Sequence, residues 1–517
     1  MKPTRLISGF MTVGGWTFGS RILGFVRDAM IVALLGTGPA YQAFIVAFSL
    51  PNMFRRFFAE GAFNMAFVPM FAKRLEGDDN PKGFAQDAFS GLASVLLILT
   101  LAAQILMPAL VFSMASGFVG QEQFDLAVLF GRIAFPYILF ISLAALLSGI
   151  LNSTGRFAAA AAAPILLNVI FIAFMSFAVW NGGNVARALI WAVPVAGIAQ
   201  FILVWGAASR AGFKLSITRP VLTPEIKQLI IVALPAAMAS GVVQINLLIG
   251  RQVASYFDYA MDWMYTADRL YQLPLGVVGI AVGIVLLPEL SRRLRAGDEA
   301  GGRHAFSRAG EISLALTIPA AVALLVIPGP LVTVLFERGK FTAEDTAGTA
   351  IAVAIYGLGL PAFVLQKVLQ PLYFARSDTR TPFRFAVGAM IVNAACAVGL
   401  APVIGWTAAA IGTTIAAWAM VGMLLWGARR MGDTARFDDR FRTRVPKQIL
   451  AAVFMGAVLM LFRLPLTEAL HTDGVRYLAL AALVAAGVIS YFGAAHVIGA
   501  LRLSDVKSSM RRGGSAG

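Results

Sequence analysis

The sequence predicts an all-α polytopic membrane protein of about fourteen transmembrane helices, two six-helix lobes related by a pseudo-two-fold axis plus two C-terminal helices. Three observations predict it. Of 517 residues, 59% are hydrophobic and 13% charged, with a mean hydropathy of +0.79, a mixture foreign to soluble domains. Apolar stretches of about 20 residues or more recur along nearly the whole chain, each able to cross roughly 30 Å of hydrocarbon as a helix. Short motifs also return at one fixed offset, as in transporters built by duplication.

The first apolar stretch covers 6–36. It outruns the short core of a secretory signal and reads as a retained span. Cys396 is the single cysteine, which excludes disulfides and a cysteine-ligated metal. The net charge of +16 does not mark a nucleic-acid surface, because the basic residues fall in alternate loops. These loops hold Lys73, Arg74 and Lys82; Arg210, Lys214 and Arg219; Arg292, Arg293, Arg295 and Arg303; and Arg376, Arg380 and Arg384. Arg429, Arg430, Arg436, Arg440, Arg442 and Arg444 fill another, and Arg502, Lys507, Arg511 and Arg512 mark the tail. By the positive-inside rule these loops are cytoplasmic, as are both termini, the first carrying Lys2 and Arg5. The opposite loops, around Gln121, Asn181, 258–262, Glu344 and His471, carry mixed or acidic charge and are expected outside.

The offset comes from three matches in order: Pro51 with Pro274, Pro136 with Pro361 and Asn168 with Asn393, separated by 223, 225 and 225 residues. A repeat of that length holds about six spans, an even number, so both halves enter from the same side and are related by an axis along the membrane normal. The expected organisation is an N-terminal lobe at 1–210, a polar joint at 210–224, a C-terminal lobe at 225–431, and two added helices within 445–500. The added pair has no counterpart in the first half. A lipid-binding surface and plain lateral packing both account for it.

Charges also lie within the spans. GSRILGFVRDAM places Arg21, Arg27 and Asp28 in the first, FSLPNMFRRFFAEGAF places Arg55, Arg56 and Glu60 in the second, and WMYTADRLYQLPLG places Asp268 and Arg269 in the eighth. A central arginine costs about 2.5–3.5 kcal/mol to insert, so five facing lipid would cost on the order of 10 kcal/mol. They must face protein or water. Internal ion pairs explain part of the set: Glu60 follows Arg56 by one turn, and Asp28 and Asp268 are available to arginines on neighbouring helices. Five arginines against three acids leave two positive charges, which an anionic ligand would balance. Guanidinium forks suit phosphate oxygens. Arg21 and Arg27 point about 120° apart on one helix, so they would flank a broad cavity rather than one stripe. Pro51 and Pro274 interrupt the helix ladder beside these segments at matching positions, which marks them as hinge candidates against the plain alternative of tolerated kinks.

The stretches SRILGFVRDA, LPNMFRRFFAEGAFNMAFVP, ADRLYQLPLGVVGIAVGIVLLPELSR, LFERGKFTAEDT and PLYFARSDTRTPF resemble the MurJ (MviN) lipid II flippases of bacteria, in the MOP exporter superfamily. The likeness covers nearly the whole chain. It implies alternating inward-open and outward-open states, a C-terminal helix pair forming a groove for a polyprenyl tail, and a bacterial cytoplasmic membrane location. The implied substrate is undecaprenyl-pyrophosphate carrying the disaccharide-pentapeptide of peptidoglycan, with membrane lipids as the other partners and the chain acting as a monomer. By motif match, Arg21, Arg27, Arg55 and Arg269 would contact the pyrophosphate, with Arg56, Glu60, Asp28 and Asp268 supporting. Gln42 departs from the pattern, standing where similar proteins are expected to carry an acid. No cofactor is expected. Energy from the membrane potential or a monovalent cation is implied, and the corresponding spans offer only neutral oxygens such as those of Asn246, Asn393, Thr413 and Thr414, residue types that also serve helix packing.

A membrane enzyme acting on a lipid-linked sugar would need clustered carboxylates or histidines. His304, His471 and His496 fall at loops or helix ends, and each core acid lies close to an arginine, so no catalytic constellation is present. A flippase for another anionic polyprenyl glycan satisfies the same charges, and the resemblance alone favours the peptidoglycan precursor.

Overall fold

The computed structural model describes residues 3–56, 62–77 and 79–501, without the side chains of 3–14, 62–65, 235–240, 243 and 277–285. Glu60, and with it the Arg56–Glu60 pair, lies outside the described residues, as do Lys2 and the basic tail from Arg502. Among the described residues every regular element is a helix. Ten helical segments among the described residues are long and apolar enough to cross a membrane.

The chain forms two compact units, Met1–Tyr256 and Phe257–Gly517. The first contains α1 (Pro3–Leu35), α2 (Pro39–Arg55), α3 (Ala62–Gly77), α4 (Pro81–Ala115), α5 (Glu122–Ala134), α6 (Tyr137–Ser153), α7 (Ala158–Trp180), α8 (Val185–Arg210) and α9 (Pro224–Ala254). Polar caps set several starts: Asn80 accepts from Gly83 N at 3.1 Å, Asn184 from Arg187 N at 3.0 Å, and Thr223, ahead of Pro224, from Ile226 N at 3.3 Å. Long apolar side chains on α4 remain exposed, Ile98 at 68% and Ile105 at 79%, as expected of a lipid-facing surface.

The polar joint at 211–223 is extended and strapped to α4. The Gln86 amide donates to Ser216 O and accepts from Ser216 N, Ser90 Oγ lies 2.9 Å from Thr218 Oγ1, and Trp205 donates to Leu215 O at 2.9 Å. Arg74, at the end of α3, pairs with Glu225 in the first turn of α9 at 3.6 Å. The sequence pattern begins its second lobe at 225, whereas packing groups α9 with the first unit, against α3 and α4.

The second unit contains α10 (Ala260–Arg295), α11 (Glu299–Val326), α12 (Pro328–Phe336), α13 (Ala343–Phe374), α14 (Arg380–Ile404), α15 (Thr407–Ala428), α16 (Asp439–Arg463), α17 (Thr467–His471) and α18 (Arg476–Val497). Thr342 and Asp345 form a reciprocal capping box at α13. Asp438 caps α16 by accepting from Phe441 N at 2.8 Å. That cap starts the helix six residues before the expected 445, so Arg440, Arg442 and Arg444 are helical rather than loop residues. Buried Tyr373 donates from α13 to Leu424 O of α15 at 2.5 Å, and Tyr491 of α18 donates to Ala315 O of α11 at 2.8 Å.

Candidate substrate-binding site

In the first unit the intramembrane charges divide by helix face. Arg27, its side chain 12% exposed, donates through Nε and Nη2 to Asp28 Oδ1 at 3.0 and 2.7 Å, and through Nη1 to Asn168 Oδ1 of α7 at 2.8 Å. Its guanidinium also lies 5.6 Å from the Phe171 ring centre. Asn168 turns its amide nitrogen to Ser20 O at 2.9 Å. Gly24, one turn beyond Ser20, faces this amide: a Cβ there would be in ordinary van der Waals contact, 3.6 Å from Asn168 Nδ2. Arg27 is thus a fastener between α1 and α7, with three of its nitrogens engaged.

Arg21 behaves differently. It is exposed, and among the described residues no carboxylate lies within ion-pair distance. The two arginines occupy different faces of α1, as six-residue spacing requires. On α2, Arg55 is half-buried and donates to Asn52 Oδ1 at 3.3 Å, while Asn52 donates to Phe48 O at 2.8 Å; Arg56 is exposed. Gln42 is buried on the same helix.

In the second unit α10 carries Asp268 and Arg269. The Arg269 guanidinium stacks over Tyr265, one turn earlier, at 4.3 Å from the ring centre. Asp268 accepts from the Gln272 amide one turn later on its own helix. Within the second unit no arginine of a neighbouring described helix pairs with it. Tyr271 packs on Tyr356 and Phe363 of α13 at 5.1 and 5.5 Å.

Neither hinge candidate ends its helix. Pro51 is buried inside α2, and α10 continues through both Pro274 and Pro288. The expected cation oxygens are divided: Asn246 is on α9 in the first unit, while Asn393, Thr413 and Thr414 are in the second. Thr413 donates to Ala409 O of its own helix at 3.0 Å, while Thr414 donates across to Ile355 O of α13 at 3.1 Å. Among the described residues no cluster of three or more His, Cys, Asp or Glu could hold a metal.

The second unit also contains an apolar groove of about 260 Å³ whose walls come from α11, α12, α16 and α18. Leu316 and Pro319 line it from α11, Met455 and Leu459 from α16, and Val488 and Tyr491 from α18. Two features here escape a reading of single spans. Asn168 is legible only as a repeat marker, although a lone amide inside an apolar helix three residues before Phe171 signals a helix contact. The groove joins segments from 315 to 492, which no local pattern connects.

The family model described as "Lipid II flippase MurJ" matches residues 31–492. A curated relative, the "Probable lipid II flippase MurJ" of Rhizobium meliloti (strain 1021), is 45% identical over 523 residues, covering 99% of this chain and 97% of its own. The solved structure titled "Lipid II flippase MurJ, inward closed conformation" superposes with a TM-score of 0.80 at 24% identity, covering 94% of this chain and 98% of that one. An inward-facing multidrug resistance MATE family transporter of the MOP superfamily superposes with a TM-score of 0.69 at 17% identity, covering 80% and 95%. These two structures share the fold.

Proposed function

Because this chain belongs to the lipid II flippase MurJ family, whose model spans 31–492, we propose that it carries lipid II from the inner to the outer leaflet of the bacterial cytoplasmic membrane by alternating access, both termini facing the cytoplasm. Arg21, Arg55 and Arg269 bind the pyrophosphate. Arg27 and Asp28 hold α1 against α7 behind them, and Asp268 with Gln272 presents acceptors and donors to the headgroup beside Arg269. Pro51 and Pro274 are the points where α2 and α10 bend between states.

One observation carries this proposal: Arg27 takes Asp28, and Arg21 on the same helix stays exposed without a carboxylate among the described residues. An uncompensated guanidinium within a membrane span is a site for an anion, and its fork matches phosphate oxygens two at a time. The groove of α11, α16 and α18 supports a seat for the polyprenyl tail, being apolar throughout its lining.

The test is depletion of the protein in cells, with lipid-linked precursor measured on each face of the inner membrane. Accumulation on the inner face, relieved by the native chain and not by Arg21→Ala or Arg269→Ala, is the expected result. Normal growth with Arg21→Ala as sole copy overturns the arginine assignment, and an unchanged leaflet distribution on depletion overturns the transport reading.

A further inference from the structure

We infer that Glu311 is the positioning residue of the apolar groove, a single buried carboxylate that fixes α16 in register against α11; this rests on the groove's assignment to the lipid tail. Glu311 lies one turn before Ala315, where the groove lining begins, and its side chain is 3% exposed. It is met by Arg308 from its own helix, by Arg444 Nη1 at 2.9 Å and by Arg440 Nε at 3.3 Å. Gln448, fully buried, reaches Glu311 O at 3.4 Å. Residues 440, 444 and 448 follow one stripe of α16, and Met455 and Leu459 carry that stripe into the groove wall.

The rest of the junction locks the same register. Arg308 grips Asp438, the cap of α16, at 2.6 Å, and Asp438 N donates to Ser307 Oγ at 3.0 Å. A slip of one residue would turn α16 by about 100°, taking Leu459 out of the groove and Arg444 away from Glu311. Buried ion pairs add little net stability, but they penalise wrong registers severely, since each leaves a charge uncompensated. Apolar contacts alone, between helices sliding in lipid, discriminate far less.

The test uses the full chain in membrane vesicles. A Cβ at Gly456 would lie 3.0 Å from Val322 Cγ1, so Val322→Cys with Gly456→Cys, in a Cys396→Ala background, reports the α11–α16 register by disulfide formation and needs no substrate. A photoreactive prenyl phosphate reports groove occupancy in parallel. Glu311→Gln keeps the shape and removes the charge; crosslinking and groove labelling should both fall roughly tenfold or more. Unchanged crosslinking overturns the register role. Reduced crosslinking with unchanged groove labelling overturns the link to the groove. If Glu311→Gln does not accumulate, Arg444→Gln decides by the same two measurements. Absence of labelling in the native chain sinks the tail assignment, while the disulfide still tests the register separately.

Discussion

Arg27 donates to the side-chain oxygen of Asn168 at 2.8 Å, joining α1 to α7 across 141 residues of sequence. The same amide donates back to Ser20 O, so one residue of α7 holds α1 at two points about two turns apart. Asn168→Leu preserves volume and removes both bonds. A buried guanidinium losing an acceptor costs about 1–3 kcal/mol. Purified Asn168→Leu should unfold at a clearly lower temperature and transport poorly even though it keeps every arginine. A melting temperature equal to that of the native protein would show that the clamp contributes nothing.

The spans themselves were legible because hydrocarbon demands long apolar runs, and α8 and α9 end and begin at Arg210 and Pro224 around the expected polar joint. The capping box at Thr342 and Asp345 was readable within LFERGKFTAEDT in the same local sense. Partners were not. Arg440 and Arg444 look like ordinary cytoplasmic loop charges until Asp438 caps α16 and turns them onto Glu311, an acid 129 and 133 residues away. Asp268 sits beside an arginine in sequence, yet rotamer and helix phase give it Gln272 instead. The grouping of α9 with the first unit comes from its packing on α3 and α4, with Arg74 paired to Glu225, which no hydropathy pattern encodes.

At α10, Arg269 lies over the Tyr265 ring. Lysine there would keep the charge and the ring contact but lose the planar fork. Arg269→Lys should therefore insert and fold normally while transport falls by roughly tenfold or more, the value of one good bidentate phosphate contact. The ratio of vesicle transport to surface-labelled protein measures it. Full activity in Arg269→Lys would show that only the positive charge matters.

Gly412 is the contact point of α15 on α14, where a Cβ would come 3.0 Å from both Ala397 N and Asn393 Oδ1. Backbone cannot yield there, so Gly412→Ala forces the helices apart, at a cost of about 1–3 kcal/mol. Gly399, on α14, has open space where its Cβ would be, and Gly399→Ala should be neutral or slightly stabilising. Thermal unfolding of the two variants side by side separates packing from helix propensity. Equal melting temperatures would mean that α14 and α15 are not tightly apposed.

Val488 lines the groove from α18 and is 50% exposed, so a larger side chain there meets no packed core. Val488→Trp remains apolar and should insert normally, with its ring lying across the space between α11 and α16. If the groove seats the lipid tail, the variant should lose transport of a long-tailed substrate while retaining transport of an analogue whose tail is too short to enter. The headgroup arginines are untouched, so the short analogue controls for their integrity. Equal losses on both substrates would place the effect of Val488→Trp on helix movement and remove the groove from the binding site.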